Sequence, residues 1–172
     1  MSQRYLSSGR AANRKDVIYS CSITATKGGS EAGATSTILS VTSGLVWLLE
    51  VDFPPGCCGL AHFRMFDGKY QLFPATPGAS FAGDSVTLHL DDLYMKQASP
   101  YEFRVETWNE DEKWDHTLGV RVGMAMTRAE MSRYMPALSF ENFERLLAEM
   151  IANQELARQA QLEASLRELS GG

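Results

Sequence analysis

The chain has 172 residues, 44% of them hydrophobic, and a net charge of −5. That length suits one ordinary domain with extensions, and its longest aliphatic or aromatic run, Leu45 to Leu49, is far too short to span a bilayer. The charge divides as +3 over residues 1–16, −6 over 17–126 and −2 over 127–172, so an acidic body argues against duplex nucleic acid as its partner.

Residues 1–16 are polar and basic, with Arg4, Arg10, Arg14 and Lys15, and read as a flexible arm. Only this arm has the charge to touch nucleic acid or an acidic neighbour. It lacks the apolar segment of a secretory leader. Val17 to Thr26 alternates, with Tyr19, Cys21 and Ile23 on one face, which predicts a strand. A glycine-rich loop follows, then a second strand over 35–41. Gly44 to Phe53 is a strong strand, with Leu45, Trp47, Leu49, Val51 and Phe53 expected on one inward face.

Pro54-Pro55-Gly56 ends that strand, because proline removes donors and glycine permits a turn. Further strands are predicted at 60–66, 70–73, 85–90, 101–108 and 117–126, with Asp67-Gly68 as a hairpin turn. Tyr101, Phe103 and Val105 are expected to point inward, as are Phe63, Val120 and Val122. About eight strands without crossover helices predict an all-β antiparallel sandwich or jelly roll over residues 17–126.

From Met126 onward the period changes from two to 3.6. Thr127 and Glu130 form a capping-box pattern before Pro136. Ser139 then opens a helix carrying Phe140, Phe143, Leu146, Leu147, Met150 and Ile151 at helical spacing, thinning to Leu156, Leu162, Leu166 and Leu169. Residues 127–172 are thus a C-terminal α-helical extension. A helix over 139–169 is roughly 45 Å long at about 1.5 Å per residue. Its first turns should pack firmly, and the half beyond Ala152 is expected to project and meet another subunit. Phe140, Phe143, Leu147, Met150, Ile151, Leu156 and Leu162 are the candidate protein interface.

Chemistry finds little footing. Three cysteines without a CxxC spacing read as reduced thiols of a protein made in a cytosol. His62 and His89 fall on the polar face of their strands, where exposure is expected. His116 has core parity and is expected to bond a carboxylate or backbone group. No spacing favours a metal, and Asn109 to Asp115 lacks the glycine and distal glutamate of a calcium loop. That acidic tip instead reads as a loop anchored by Trp108 and Trp114. Cys57 or Cys58 with His116 could suggest a thiol nucleophile, but a cysteine in a tight Pro-Gly turn is better explained by packing. Trp47, Trp108, Trp114, Tyr70 and Tyr101 could form a sugar platform. No catalytic residue and no cofactor is expected.

One string of residues is distinctive. Phe53-Pro54-Pro55-Gly56-Cys57-Cys58-Gly59-Leu60, Gln71-Leu72-Phe73-Pro74, Pro100-Tyr101-Glu102, Asn109-Glu110-Asp111 and His116-Thr117 follow in that order. This pattern, over roughly Val41 to Met126, resembles a family of small β-sandwich proteins encoded by tailed bacteriophages and regarded as virion components. The resemblance implies a non-enzymatic structural role, with Pro54, Pro55, Gly56, Asn109, Asp111 and His116 as fold markers. The leading expectation is a minor capsid or decoration protein, made in the host cytoplasm and incorporated in the virion. Its partners would be further copies of itself, the major capsid protein or other virion proteins. A neck or tail component, or a carbohydrate-binding module displayed on the particle, is the alternative.

Overall fold

The computed structural model describes residues 17–134 and 140–170. The expected arm at 1–16, Pro136 and the Ser139 cap lie outside the described residues. Among the described residues there are ten strands: β1 Val17–Ala25, β2 Thr35–Ser40, β3 Gly44–Phe53, β4 Ala61–Asp67, β5 Tyr70–Phe73, β6 Phe81–Ala82, β7 Val86–Leu90, β8 Tyr94–Lys96, β9 Glu102–Asn109 and β10 His116–Ala125. The strands predicted from alternation are present within a residue or so of their expected limits, and β6 and β8 are additional. A short helix α1, Arg128–Met131, precedes the long helix α2, Phe140–Ser170. The Glu130 carboxylate accepts the backbone N–H of Met126 and Thr127 at 3.2 and 2.9 Å, as the capping-box pattern predicts.

The strands form two five-stranded antiparallel sheets. One runs β1-β10-β3-β7 with β8 also on β3; the other runs β2-β9-β4-β5 with β6 also on β4. Their inner faces share a core that includes Leu49, Val51, Phe53, Phe63, Met65, Phe103, Val105, Val120 and Val122. This is a sandwich, its cohesion coming from apolar rows facing each other across two pleated sheets. The period-two pattern succeeds wherever a strand has one apolar and one polar face.

Trp47 departs from expectation. Opposite β10, Gly123 faces Leu48 while Met124 faces Val46, so one extra residue of β3 bulges between them. A one-residue shift exchanges the two faces. Val46 therefore joins Leu49 in the sandwich core, while Leu45 and Trp47 turn outward into a second cluster. Gly123 makes room there: a Cβ on it would lie 2.7 Å from the Trp47 ring. Tyr101 also departs, being 44% exposed. The Glu102 N–H bonds the Pro100 carbonyl at 2.9 Å, so Tyr101 sits in a turn before the ladder starts.

Candidate functional site

The fold markers, separate in sequence, meet at one end of the sandwich. The Pro54–Gly56 turn closes where the Gly56 N–H donates to Asp84 Oδ1 at 2.7 Å and Ser85 N–H to the Pro54 carbonyl at 3.3 Å. Gly56 has φ 94°, a left-handed value that favours glycine. A Cβ built on it would lie 4.0 Å from His116 Cε1. Asn109 is fully buried, and its Nδ2 donates to the carbonyls of Trp114 and Ala25 at 2.7 and 3.3 Å. Its Oδ1 accepts the Asp111 N–H at 3.0 Å. Asp111 Oδ1 in turn accepts the N–H groups of Lys113 and Trp114, and Oδ2 lies 3.0 Å from His116 Nε2. The loop after β1 is tied in as well, through Gly28 N–H to the Asp111 carbonyl and Gly29 N–H to that of Asn109, both 2.7 Å.

These bonds explain the electrostatics. Donation from the Lys113 backbone first, then from His116, holds the Asp111 carboxyl below its ordinary range. His116 is buried and bonded to a carboxylate, as its parity predicts. Cys57 is fully buried, and burial followed by the charge of Asp84 pushes its thiol up. A nucleophilic cysteine needs the reverse shift and access to solvent. Asp111 has both oxygens occupied by donors from its own chain. The three histidines stand apart: His89 beside Glu50 at 3.0 Å, His62 on the far sheet, His116 in the junction. Among the described residues no group of three His, Cys, Asp or Glu side chains is placed to hold a metal ion.

The second candidate is the helix and the face it covers. Phe143 is 3% exposed and packs with Leu45, Met95, Ala125 and Met131. Leu147, Met150 and Ile151 are half-buried against the same cluster, where Trp47 stacks on Tyr134 with ring centroids 4.7 Å apart. Four of the expected interface residues thus pack on the chain's own body. Phe140's side chain lies outside the described residues. The predicted projection beyond Ala152 is corrected: Gln154, Arg158 and Gln161 continue the half-buried stripe, and Gln161 Oε1 accepts the Gln71 N–H at 3.3 Å. The reason is that polar side chains carry the helix period onward against a polar surface. Leu156, Leu162 and Leu166 are exposed.

Beneath α2 lies a buried ionic group that the sequence conceals. Lys96 Nζ donates to Asp67 Oδ1 at 2.5 Å and the Tyr94 hydroxyl to Oδ2 at 2.6 Å. Lys96 is 1% exposed, and its ammonium lies 5.6 Å from the Phe103 ring centroid. Burial, then the bond to Asp67, pushes the Tyr94 hydroxyl far up. Asp67 and Tyr94 also line a cavity of about 70 Å³ whose other wall includes Ile151, Gln154, Glu155 and Arg158 of α2. The cavity's volume suits ordered water, which polar walls of this kind retain.

On the outer face of the other sheet, Arg64 is held between rings, 5.1 Å from the Trp108 centroid and 5.5 Å from that of Phe66. Its guanidinium donates to Glu106 at 2.7 Å and to Glu31 at 2.5 Å. His62 stacks on Trp108 at 4.7 Å and bonds Ser80 at 2.9 Å, so it is half-buried and not exposed as expected. The five aromatics considered for a sugar platform do not share a surface. Trp47 lies under Tyr134 and Trp108 beneath His62, while Trp114 is 69% exposed and is tied into the loop through its backbone. Comparisons with protein-family models, with curated proteins and with solved structures return no match.

Proposed function

We propose that the chain is a non-enzymatic structural component of a tailed-phage particle, a minor capsid or decoration protein with a jelly-roll body and a helical attachment. The observation that carries this reading is the nesting of the strand pairs. β1 pairs with β10, β2 with β9, β3 with β7 and β4 with β5, successive pairs falling in alternate sheets. That is one long two-stranded ribbon rolled into a sandwich, the arrangement used by viral capsid and lectin domains. A fold hosts many functions, so the role rests also on where the distinctive residues go. The markers from Pro54 to His116 hold loops together, whereas Leu162 and Leu166 offer an exposed (i, i+4) apolar pair to a neighbour.

The exposed Trp114 ring favours a second reading, a glycan-binding module on the particle surface. A neck or tail position remains within the structural reading. The test is the particle: a tagged chain should co-purify with assembled virions at fixed stoichiometry. Leu162→Glu with Leu166→Glu should abolish incorporation while leaving the fold intact. Absence of the wild-type chain from purified particles refutes the proposal; glycan binding abolished by Trp114→Ala transfers support to the second reading.

A further inference from the structure

Among the described residues β1 is the edge of its sheet and pairs with β10 alone. An edge strand presents a row of backbone donors and acceptors without ladder partners, and monomeric proteins blunt it with charge, proline, a bulge or short length. β1 has none of these. It runs nine residues, contains no charged residue or proline, and keeps register from Val17↔Met124 to Ala25↔His116 without a shift. The other edges are shorter, and two of them carry further protection. β5 has four residues, meets Gln161 of α2 and ends at Pro74. β7 carries His89 and runs into Asp91-Asp92. β2 is shorter, with six residues, and two of the three positions on its inward row are threonines, Thr35 and Thr37.

We infer that β1 is a self-pairing edge, at which a second copy of this chain adds its own β1 antiparallel across a two-fold axis at Cys21. The strand is chemically palindromic about that residue. The axis sets Ser20 opposite Ser22 of the second copy, Tyr19 opposite Ile23, Ile18 opposite Thr24 and Val17 opposite Ala25. Every inward residue meets an apolar one, and every outward pair is a hydroxyl or β-branched match. Opposed residues share parity, so both inner faces stay on the same side, as an isologous contact requires. Tyr19 and Cys21, half-buried at the core margin, become fully covered. Ile18, 55% exposed, gains a methyl neighbour. The two five-stranded sheets join into one. The pairing uses no part of α2 and does not rest on the virion role.

The test uses the full chain. Sedimentation should give a dimer for the wild type and a monomer for Ser20→Lys with Ser22→Lys, where the exchange places like charges opposite each other. Both positions are exposed, so circular dichroism should show the same fold in the variant, with a lower Tm because the partner is lost and position 20 faces Arg121. Independently, opposed Cα atoms in an antiparallel pair are about 4.5–5.5 Å apart, within disulfide reach. Mild oxidation followed by peptide mapping should yield a Cys21–Cys21 linkage. A monomeric wild type, a dimer that survives the lysine pair, or oxidation that links only Cys58 overturns the inference. A dimer lost instead in Leu162→Glu/Leu166→Glu moves self-association to α2 and leaves the structural role standing.

Discussion

Replacing Phe143 with alanine tests whether α2 is fastened by one ring. Phe143 is 3% exposed in the cluster with Leu45, Met95, Ala125 and Met131, whereas Leu147, Met150 and Ile151 are only half-covered. Full burial of such a side chain contributes about 1.5–3 kcal/mol, and Phe→Ala in a core costs about 3–5 kcal/mol once the cavity is included. The half-covered neighbours supply correspondingly less each, so Phe143 carries the largest single share of the apolar docking. Taking about 3 kcal/mol for the loss, the docked-to-undocked ratio falls by roughly two orders of magnitude. Native-state amide exchange reads this directly. Peptides across Phe143–Arg158 should exchange about 100-fold faster in Phe143→Ala, while those from β3 and β10 keep most of their protection. Leu156→Ala, on the exposed side, should stay within about 0.5 kcal/mol of wild type. If α2 exchanges no faster in Phe143→Ala than in Leu156→Ala, the ring does not hold the helix and the argument fails.

Lys96→Met strands Asp67 in a buried site and should lower stability by about 3–5 kcal/mol in urea unfolding, with Asp67→Asn in the same chain recovering much of it. Asp111, held below its unfolded value, contributes stability that is complete above the unfolded carboxylate range, near about 4, and is lost as pH falls through the folded value. Asp111→Asn should therefore flatten the acid limb of a denaturation-midpoint profile while lowering stability at neutral pH. Gly123→Ala drives a Cβ to within 2.7 Å of the Trp47 ring, so it should destabilise by about 1–3 kcal/mol; an unchanged urea midpoint would mean that Trp47 does not lie where the bulge places it.

Most strands were legible because one face of each is dry and the other wet, and that contrast is local. What was not legible is long-range. The bulge that expels Trp47 is set by the partner strand, where Gly123 is the sole sequence hint of a ring lying close by. β8 was hidden because Lys96 reads as a surface residue until Asp67, 29 positions away, supplies its counter-charge. Gln154, Arg158 and Gln161 have the period of a docked face but not its hydropathy, so the helix looked free from Ala152 onward. The markers were recognisable as a pattern, yet nothing in their order shows that the Pro54–Gly56 turn and the Asn109–His116 segment close on each other.

The position of α2 also changes how attachment must be probed. A body stripped of residues 139–172 would expose Leu45 and Met95, now at 0% and 7%, together with the outward-turned Trp47. Such a contiguous apolar patch promotes nonspecific association. Deletion would then confuse lost assembly with new stickiness. Leu162, Leu166, Ser20 and Ser22 are exposed, and changing them leaves both apolar clusters intact. Folding resides in the sandwich core and the Phe143 cluster, while the four positions to be substituted lie outside both. Surface substitutions at those four positions can therefore separate assembly from stability, which truncation cannot do.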